Sequence, residues 1–258
     1  MNPAGLVLIE RDGEVARVTL NRPQRHNSLV PELLERLEEI LDREVAAWQP
    51  RALVLAGAGS SFSTGGDVSA FRAVPAGVRG RYARRIVGAL HRVILRLLAL
   101  PCPVIARVQG QVTGGAFGFV LASDLVAMAR GAFIAPYYAE VGFAPDGGWT
   151  ALLPERIGAA RAGAIQFLNT HIEADEAVAL GLATIAAGAG SLDAIVDGWL
   201  HTICSNSAQT ITATRALLLT PERHDAIARG LERELERFVN LIEAEATDGG
   251  MKRFLETA

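Results

Sequence analysis

A glycine-rich turn at residues 108–118 constrains the fold of this chain more than any other feature. The apolar run from Pro103 to Val108 predicts a buried strand, and it leads directly into the sequence Val108-Gln109-Gly110-Gln111-Val112-Thr113-Gly114-Gly115-Ala116-Phe117-Gly118. A further apolar segment, Phe119 to Ala122, follows at once. Glycines at such a strand-to-helix turn let bare backbone N–H groups face a ligand oxygen at a helix N-terminus. This arrangement is the geometry of an oxyanion hole.

A second glycine-rich turn lies upstream of the first. The segment from Ala52 to Ala56 is short and apolar and is followed by Gly57, which predicts a buried strand. The turn after it contains Gly65 and Gly66. Either turn alone equally fits a plain tight turn. Together, two such turns, each after a strand, supply one N–H group apiece to a shared site.

The order of predicted elements indicates a layered α/β body. The two segments Leu6 to Glu10 and Val15 to Leu20 predict strands around the turn Asp12-Gly13. The other predicted strands are 52–56, 104–108, 125–129 and 133–134, and the predicted helices are 31–47, 79–100, 193–205, 208–219 and 224–245. Strands that alternate with helices imply parallel pairing. Beyond Gly190 only helices are predicted, which marks a boundary there.

Composition excludes several classes of protein. Half of the 258 residues are apolar, which is enough for a sizeable core. The net charge of -3 gives no general attraction to nucleic acid or to an anionic membrane. Cys102 and Cys204 form no disulfide framework, and the histidines show no metal-ligand spacing. The beginning of the chain has no basic segment followed by an apolar run, and no apolar stretch approaches a membrane span. We therefore expect a cytoplasmic protein without a metal.

Five ordered motifs resemble those of the crotonase (enoyl-CoA hydratase/isomerase) superfamily, and the resemblance covers nearly the whole chain. The motifs are Val18-Thr19-Leu20-Asn21-Arg22-Pro23 with Asn27-Ser28-Leu29, similar to the opening strand and CoA-contacting loop; Phe62 to Val68, similar to F-x-x-G-x-D-I; Val108 to Asp124, similar to V-N-G-x-x-x-G-G-G-x-E-x-x-x-x-x-D; Gly142 to Gly148, similar to G-x-x-P-x-x-G-G; and Glu176 to Leu182, similar to E-A-x-x-x-G-L-V.

The resemblance implies an α/β crotonase fold, a ClpP-like spiral of ββα units with a C-terminal helical trimerisation region. It divides the chain into a core for CoA-thioester binding and catalysis, 1–190, and a helical oligomerisation region, 191–258. It implies a homotrimer or a dimer of trimers. A helical cap packed on its own subunit is the alternative for the last region. The expected partner is an acyl-CoA thioester, with CoA as part of the substrate and no separate cofactor.

By the same resemblance, Gly66 and Gly115 donate the two N–H groups of the oxyanion hole. The residues expected to contact substrate are Arg22, Gln24, Arg25, His26, Ser63, Gly65, Gly66, Asp67, Val68, Gly115, Tyr138, Phe143 and Trp149. Of these, Trp149 equally fits an ordinary core position or a wall of the acyl pocket.

Enoyl-CoA hydratases use two glutamates, and neither is present here. The first position, three residues after the oxyanion glycine, is Gly118, and the second is Tyr138. Water addition by the usual acid–base pair is therefore not expected. Glu140 lies nearby but two residues out of register; in a strand it would share the face of Tyr138, about one pleat away.

Asp146 matches the catalytic carboxylate of the isomerase branches. The segment Gly142 to Gly148 resembles the Gly-x-x-Pro-Asp-x-Gly-Gly of epoxyphenylacetyl-CoA isomerases. Shifting a double bond needs one base that removes a proton beside a thioester enolate and returns it further along the acyl chain. A lone carboxylate in an apolar pocket has a raised pKa, which suits that transfer. The alternative for Asp146 is a cap of the following helix.

The resemblance thus favours an acyl-CoA isomerase that shifts a double bond, or a ring, through an enolate. One alternative is an aroyl-CoA dehalogenase-like hydrolase, in which Asp146 is a nucleophile and His91 activates water. Alternatively, His91 is a structural histidine at the edge of the core. A second alternative, suggested by the missing glutamates, is a non-catalytic acyl-CoA binder.

Overall fold

Two sheets organise the protein in a computed structural model that describes residues 5–257. Residues 1–4 of the predicted core and Ala258 of the predicted C-terminal region lie outside the described residues. The strands are β1 (Val7–Asp12), β2 (Val15–Leu20), β3 (Ala52–Gly57), β4 (Val104–Val108), β5 (Gln111–Thr113), β6 (Leu125–Ala129), β7 (Phe133–Ala135), β8 (Ile172–Glu173) and β9 (Ile185–Ala187).

The larger sheet has the strand order β1-β2-β3-β4-β6-β9, and the smaller one has the order β5-β7-β8. Strands β1 and β2 form an antiparallel hairpin around Gly13, whose φ is +58°. Every later pair in the larger sheet is parallel. The alternation of strands and helices in the sequence therefore predicted the parallel pairing of the larger sheet from β2 onward, whereas β7 and β8 of the smaller sheet pair antiparallel. The mixed α/β class is confirmed.

Helices cover the sheets and fill the C-terminal quarter of the chain. They are α1 (Pro31–Glu39), α2 (Ala46–Trp48), α3 (Val68–Ala73), α4 (Arg79–Ala99), α5 (Phe117–Leu121), α6 (Tyr138–Val141), α7 (Leu153–Ile157), α8 (Ala159–Leu168), α9 (Ala174–Ala179), α10 (Leu192–Ser205), α11 (Ala208–Leu218), α12 (Pro221–Leu241) and α13 (Glu245–Thr257). Short 3-10 turns occur at Pro23–Arg25, Gly114–Ala116 and Ala189–Ser191. Across the described residues, no helix combines the length and apolar character needed to cross a bilayer.

Most predicted elements are present, with differences at three places. The helix predicted over 31–47 is interrupted by a π-helical turn, Ile40–Val45. The helix predicted over 224–245 begins earlier, because Pro221 occupies its first turn and the Thr220 hydroxyl accepts the N–H of Arg223, and it ends at Leu241. The strand considered for Glu140 is wrong, since that residue lies in the one-turn helix α6.

The C-terminal helices fold back onto the body of the same chain. Helix α12 packs along α4 and buries an apolar face formed by Ile227, Leu231, Leu235 and Phe238. A Cβ atom at Gly230 would lie 2.7 Å from the Cβ of Ala151, so the glycine lets α12 approach the core closely. The packing within one subunit matches the cap alternative. Trimerisation through residues 191–258 stays a prediction.

Arg215 on α11 joins the C-terminal helices to the core. Its Nε donates to Asp124 Oδ2 at 2.8 Å, and its remaining nitrogens donate to the carbonyls of Leu97 and Leu98 at 2.8 Å. These carbonyls belong to the last turn of α4, where a cation is favoured by the helix dipole. The Arg215 guanidinium therefore neutralises the Asp124 carboxylate and also satisfies carbonyl groups at the C-terminal end of α4.

We expect Arg215→Met to destabilise the protein by about 3 kcal/mol, because it leaves a carboxylate and several helix-end carbonyls without their cation. Arg223→Met is the control, since its ion pair with Glu155 is 43% and 38% exposed and should contribute at most about 1 kcal/mol. Urea unfolding of both variants measures the difference. Equal losses would show that Arg215 is no special attachment.

Candidate active site

The two glycine-rich turns meet beside the small sheet. The Ser63 N–H donates to the Gln111 carbonyl, and the Thr113 N–H donates to the Ser63 carbonyl, both at 3.1 Å. Gly65 has a φ of +72°, and a Cβ atom there would lie 2.6 Å from the Thr113 oxygen. Only glycine allows the two backbones to approach so closely. The structure thus brings together the two turns that the sequence singled out.

The hydrogen bonding of the Gly65 carbonyl sets the direction of the Gly66 N–H group. That carbonyl accepts the N–H of Leu29 at 2.7 Å. In a trans peptide the carbonyl and the following N–H point in opposite directions, and the described residues contain no cis peptide. The Gly66 N–H therefore points away from the Leu29 N–H group, and Gly66 itself lines a cavity.

The second peptide is oriented by a tryptophan. The indole Nε1 of Trp149 donates to the Gly114 carbonyl at 2.8 Å. By the same trans geometry, the Gly115 N–H points away from Trp149. Gly115 also lines the cavity, so the two residues predicted to donate border one space. Trp149 itself is fully buried, stacks at 4.6 Å on Phe117 and is not among the described residues that line the cavity. Its expected contact with substrate is therefore replaced by this structural contact.

Asp146 lies directly beside the Gly115 turn. A Cβ atom at Gly115 would be 2.8 Å from Asp146 Oδ1. The Tyr138 hydroxyl donates to that same oxygen at 2.5 Å. Asp146 is 7% exposed and lines the cavity. It does not cap the next helix, because α7 begins at Leu153 with Leu152 as its N-cap residue.

Burial gives Asp146 the properties of a base that works near neutral pH. Loss of solvent, partly opposed by the Tyr138 hydrogen bond and reinforced by the nearby charge of Glu234, raises its pKa to about 7. Burial and the neighbouring carboxylates raise the pKa of Tyr138 well above 10. The shared proton therefore stays on the tyrosine, and Asp146 exchanges between its charged and neutral forms around pH 7.

The cavity beside these groups has a volume of about 650 Å³. Its inner wall is apolar and includes Phe71, Phe143, Phe238, Ile86 and Leu90, and its mouth carries Gln24, Arg25, His26, Thr64 and Ser69. The predicted site residues that line it are Gln24, Arg25, His26, Gly66, Asp67, Val68, Gly115, Tyr138, Phe143 and Asp146. Four other predicted residues are not among the described residues that line the cavity: Arg22, Ser63, Gly65 and Trp149.

Two of the remaining predicted residues support the loops instead. Arg22 donates to Asp67 Oδ2 at 2.9 Å and to the Ser28 hydroxyl at 2.6 Å. The Ser63 hydroxyl donates to the carbonyl of Asn27 at 2.7 Å. Although burial opposes it, hydrogen bonds from Arg22 and from the backbone hold the pKa of Asp67 below its usual range. The Arg22–Asp67 pair therefore fixes the loop that precedes α3.

Of the two positions of the absent hydratase glutamates, Gly118 has no room for a side chain and the other is occupied by Tyr138. A Cβ atom at Gly118 would overlap with the Gly147 carbonyl and with Ile94 Cδ1. Glu140 is exposed at the rim of the cavity, where its Oε2 accepts the side-chain amide of Asn169 at 3.1 Å. Two buried carboxylates, Asp67 and Asp146, are among the described lining residues, and Asp67 is paired with Arg22 and Arg25 whereas Asp146 has no ion-pair partner among the described residues.

His91 and Glu234 lie behind the segment that carries Asp146. His91 Nε2 accepts the N–H of Gly147 at 3.2 Å, and burial lowers the pKa of this histidine to about 3. Glu234 accepts the N–H of Gly148 at 2.8 Å. Sequence reasoning missed Glu234. One signal was available, since Glu234 falls at helical spacing on the same face as Leu231 and Phe238.

Known proteins resemble this chain along most of its length. The family model described as enoyl-CoA hydratase/isomerase matches residues 10–258. A probable enoyl-CoA hydratase of Mycobacterium bovis is 37% identical over 186 residues, which cover 69% of this chain and 64% of that protein. The 1,2-epoxyphenylacetyl-CoA isomerase of Escherichia coli is 33% identical over 168 residues, which cover 65% of this chain and 64% of that protein.

The match therefore spans less than two thirds of the length of these two curated relatives. The crystal structure of an enoyl-CoA hydratase from Bacillus halodurans has the same fold, with a TM-score of 0.88 at 22% identity over 96% of this chain and 99% of that one. The relatives carry names for two different reactions, so similarity alone does not select one.

The raised pKa of Asp146 predicts how stability depends on pH. Between about pH 4 and pH 7 the unfolded chain loses this proton while the folded protein keeps it, so the wild type becomes less stable as pH rises. Asp146→Asn removes the titration. The free energy of unfolding of the variant minus that of the wild type should therefore increase by about 2–4 kcal/mol as pH rises across that range.

Urea unfolding at pH 5, 6, 7 and 8 and one protein concentration measures this difference. Asp175→Asn is the control, because Asp175 is an exposed carboxylate in an ion pair with Arg130. A constant difference between Asp146→Asn and wild type at every pH would contradict the raised pKa.

Proposed function

The chain belongs to the enoyl-CoA hydratase/isomerase family, of the crotonase superfamily, and we propose that it is an acyl-CoA isomerase. The observation that carries the proposal is the buried carboxylate of Asp146, which lines the same cavity as Gly66 and Gly115 and lies against the Gly115 turn. The substrate is an acyl-CoA thioester with a double bond, or a ring, that the enzyme relocates. CoA is part of that substrate, and the reaction uses no separate cofactor.

In this mechanism the thioester oxygen accepts the N–H groups of Gly66 and Gly115, which stabilise the negative charge of an enolate. Asp146 removes a proton from the carbon next to the thioester, and the electrons of that C–H bond enter the enolate. The enolate electrons then form the new double bond as Asp146 returns the proton to a carbon further along the chain. The substrate and the product have the same atoms, so one base that removes and returns a single proton suffices.

Tyr138 supports this role of Asp146 without titrating. Its hydroxyl occupies one carboxylate oxygen and leaves the other for the substrate. Phe143 and its aromatic neighbours provide an apolar surface for the acyl group. Gln24, Arg25 and His26 at the mouth are placed for the polar CoA moiety. We also propose assembly into a homotrimer or a dimer of trimers through the C-terminal helices.

The site geometry disfavours the two other reactions of the superfamily. Hydration needs a second carboxylate, and the space next to Gly118 is filled by the Gly147 carbonyl. A dehalogenase-like hydrolase needs His91 to accept a proton from water. The Nε2 of His91 already accepts the Gly147 N–H, and His91 is not among the described residues that line the cavity.

We expect Asp146→Asn to lose at least about 100-fold in isomerase activity while it still binds acyl-CoA, because the amide keeps the shape and loses the base. Solvent deuterium exchange into a panel of 3-enoyl-CoA thioesters measures the activity, and calorimetry measures binding. The wild-type rate should rise as pH increases through about 7, where Asp146 ionises.

Four results would contradict the proposal. An active Asp146→Asn variant would place the base elsewhere, and rapid hydration of crotonyl-CoA would indicate a hydratase. Added mass on intact His91→Gln protein after mixing with a halobenzoyl-CoA would show an aryl ester on Asp146 and favour the dehalogenase. Binding without turnover on every substrate would favour the non-catalytic binder.

The Trp149 indole is expected to act through the Gly114 carbonyl that it holds. Trp149→Phe keeps an aromatic ring against Phe117 but removes the indole donor, so that the Gly114 carbonyl retains only the Phe117 N–H. We therefore expect kcat to fall about tenfold, a part of the loss caused by removing an oxyanion donor. The red shift of a bound, conjugated aryl-enoyl-CoA should shrink, because its carbonyl is less polarised. Trp199→Phe, on the remote helix α10, is the control. An unchanged shift in Trp149→Phe would refute this role.

A further inference from the structure

A buried glutamate of the C-terminal helix α12 holds the segment that carries Asp146. Glu234 is only 3% exposed. Its Oε2 accepts the Gly148 N–H at 2.8 Å. Its Oε1 accepts the N–H groups of Thr150 at 2.8 Å and Ala151 at 3.0 Å, and the Thr150 hydroxyl at 2.7 Å. Four donors on two oxygens are the pattern of an ionised carboxylate, since a protonated one would need to donate.

The segment held in this way is pressed against the Gly115 turn. Gly147 and Gly148 have φ values of +64° and +90°, which favour glycine. A Cβ atom at Gly147 would lie 2.7 Å from the Cα of Gly115. The position of this segment therefore sets the distance between the Asp146 carboxylate and the Gly115 N–H group.

The charge of Glu234 acts on Asp146 without a cation between them. The titratable groups around it are His91 from α4, at 3.6 Å, Tyr138 from α6, and Asp146 itself. Burial keeps His91 neutral. No arginine or lysine of residues 5–257 forms an ion pair with Glu234. Its negative charge therefore contributes, after burial, to the raised pKa of Asp146.

We infer that Glu234 is a positioning residue of the proposed isomerase: it fixes segment 146–151 against the Gly115 turn and places a negative charge behind that segment. This inference rests on the proposed function. It also gives the C-terminal helical region a part in the active site in addition to any part in assembly. Glu234 does not contact the substrate, so it acts through the backbone and through its field.

The test compares Glu234→Gln with Glu236→Gln, an exposed residue on the same helix. A neutral glutamine cannot accept every N–H of the segment, so kcat for deuterium exchange should fall about tenfold while KM changes little. Without the negative charge Asp146 should ionise more readily, so the acid limb of the pH profile should move down by about half a pH unit or more. Glu236→Gln should match the wild type in both readouts.

Thr150→Val is a second variant, and it keeps the charge of Glu234. If Glu234→Gln does not fold, Thr150→Val tests the positioning role of Glu234. It removes only the hydroxyl donor to Glu234, so kcat should fall several-fold with the pH profile unmoved. Glu234→Asp should likewise retain the acid limb of the wild type. Wild-type kcat and pH profile in Glu234→Gln, or wild-type kcat in Thr150→Val if the first variant does not fold, would overturn the inference.

The two proposals fail in different ways. If the wild type shows no exchange with any substrate, the proposed function is wrong and this inference falls with it. If the wild type exchanges deuterium and Glu234→Gln behaves identically, only the positioning role is wrong. A variant with less folded protein, normal kcat per folded molecule and an unmoved acid limb would reduce Glu234 to a structural residue.

Discussion

Close contact between bare backbones is the constraint on which the rest of this site depends. Gly65 lies against Thr113, and Gly147 lies against Gly115, at distances that no side chain permits. These contacts leave the N–H groups of the turns to be directed by hydrogen bonds to the adjacent carbonyls, from Leu29 on one side and Trp149 on the other. A trans peptide with a fixed carbonyl has a fixed N–H direction, so the site is organised before substrate binds.

The same packing buries two carboxylates, which is electrostatically unfavourable. Asp146 and Glu234 are both buried, and neither is neutralised by an arginine or lysine of the described residues. Glu234 is compensated by backbone N–H groups, whereas Asp146 has a tyrosine hydroxyl as its side-chain partner. The less compensated carboxylate is the one that faces the cavity. A buried carboxylate with few hydrogen-bond donors lowers the stability of the folded protein and is a stronger base. Such a trade-off between stability and activity is common at active sites.

Particular residues show how far the sequence could be read. Strands β2, β4 and β6 end at the predicted residues, because short apolar runs bounded by turn residues specify buried strands well. Gly66, Gly115 and Asp146 were also found in the sequence, from their order and spacing. Glu234 was not, because a single acidic residue in an amphipathic helix looks like any solvated charge until the helix is docked. The helix predicted to continue to residue 245 stops at Leu241 for a similar reason, since α13 turns to pack on α6.

The sequence by itself determined the α/β class, the family, the two glycine turns and the absence of the second carboxylate. These properties reside in local spacing and in residue types, and they need no knowledge of distant contacts. Only the tertiary structure decided that Trp149 orients a peptide, that Arg22 pairs with Asp67, and that His91 and Glu234 support the segment of Asp146. Each of these pairs joins residues far apart in the chain, and burial together with these partners sets the protonation of the groups involved.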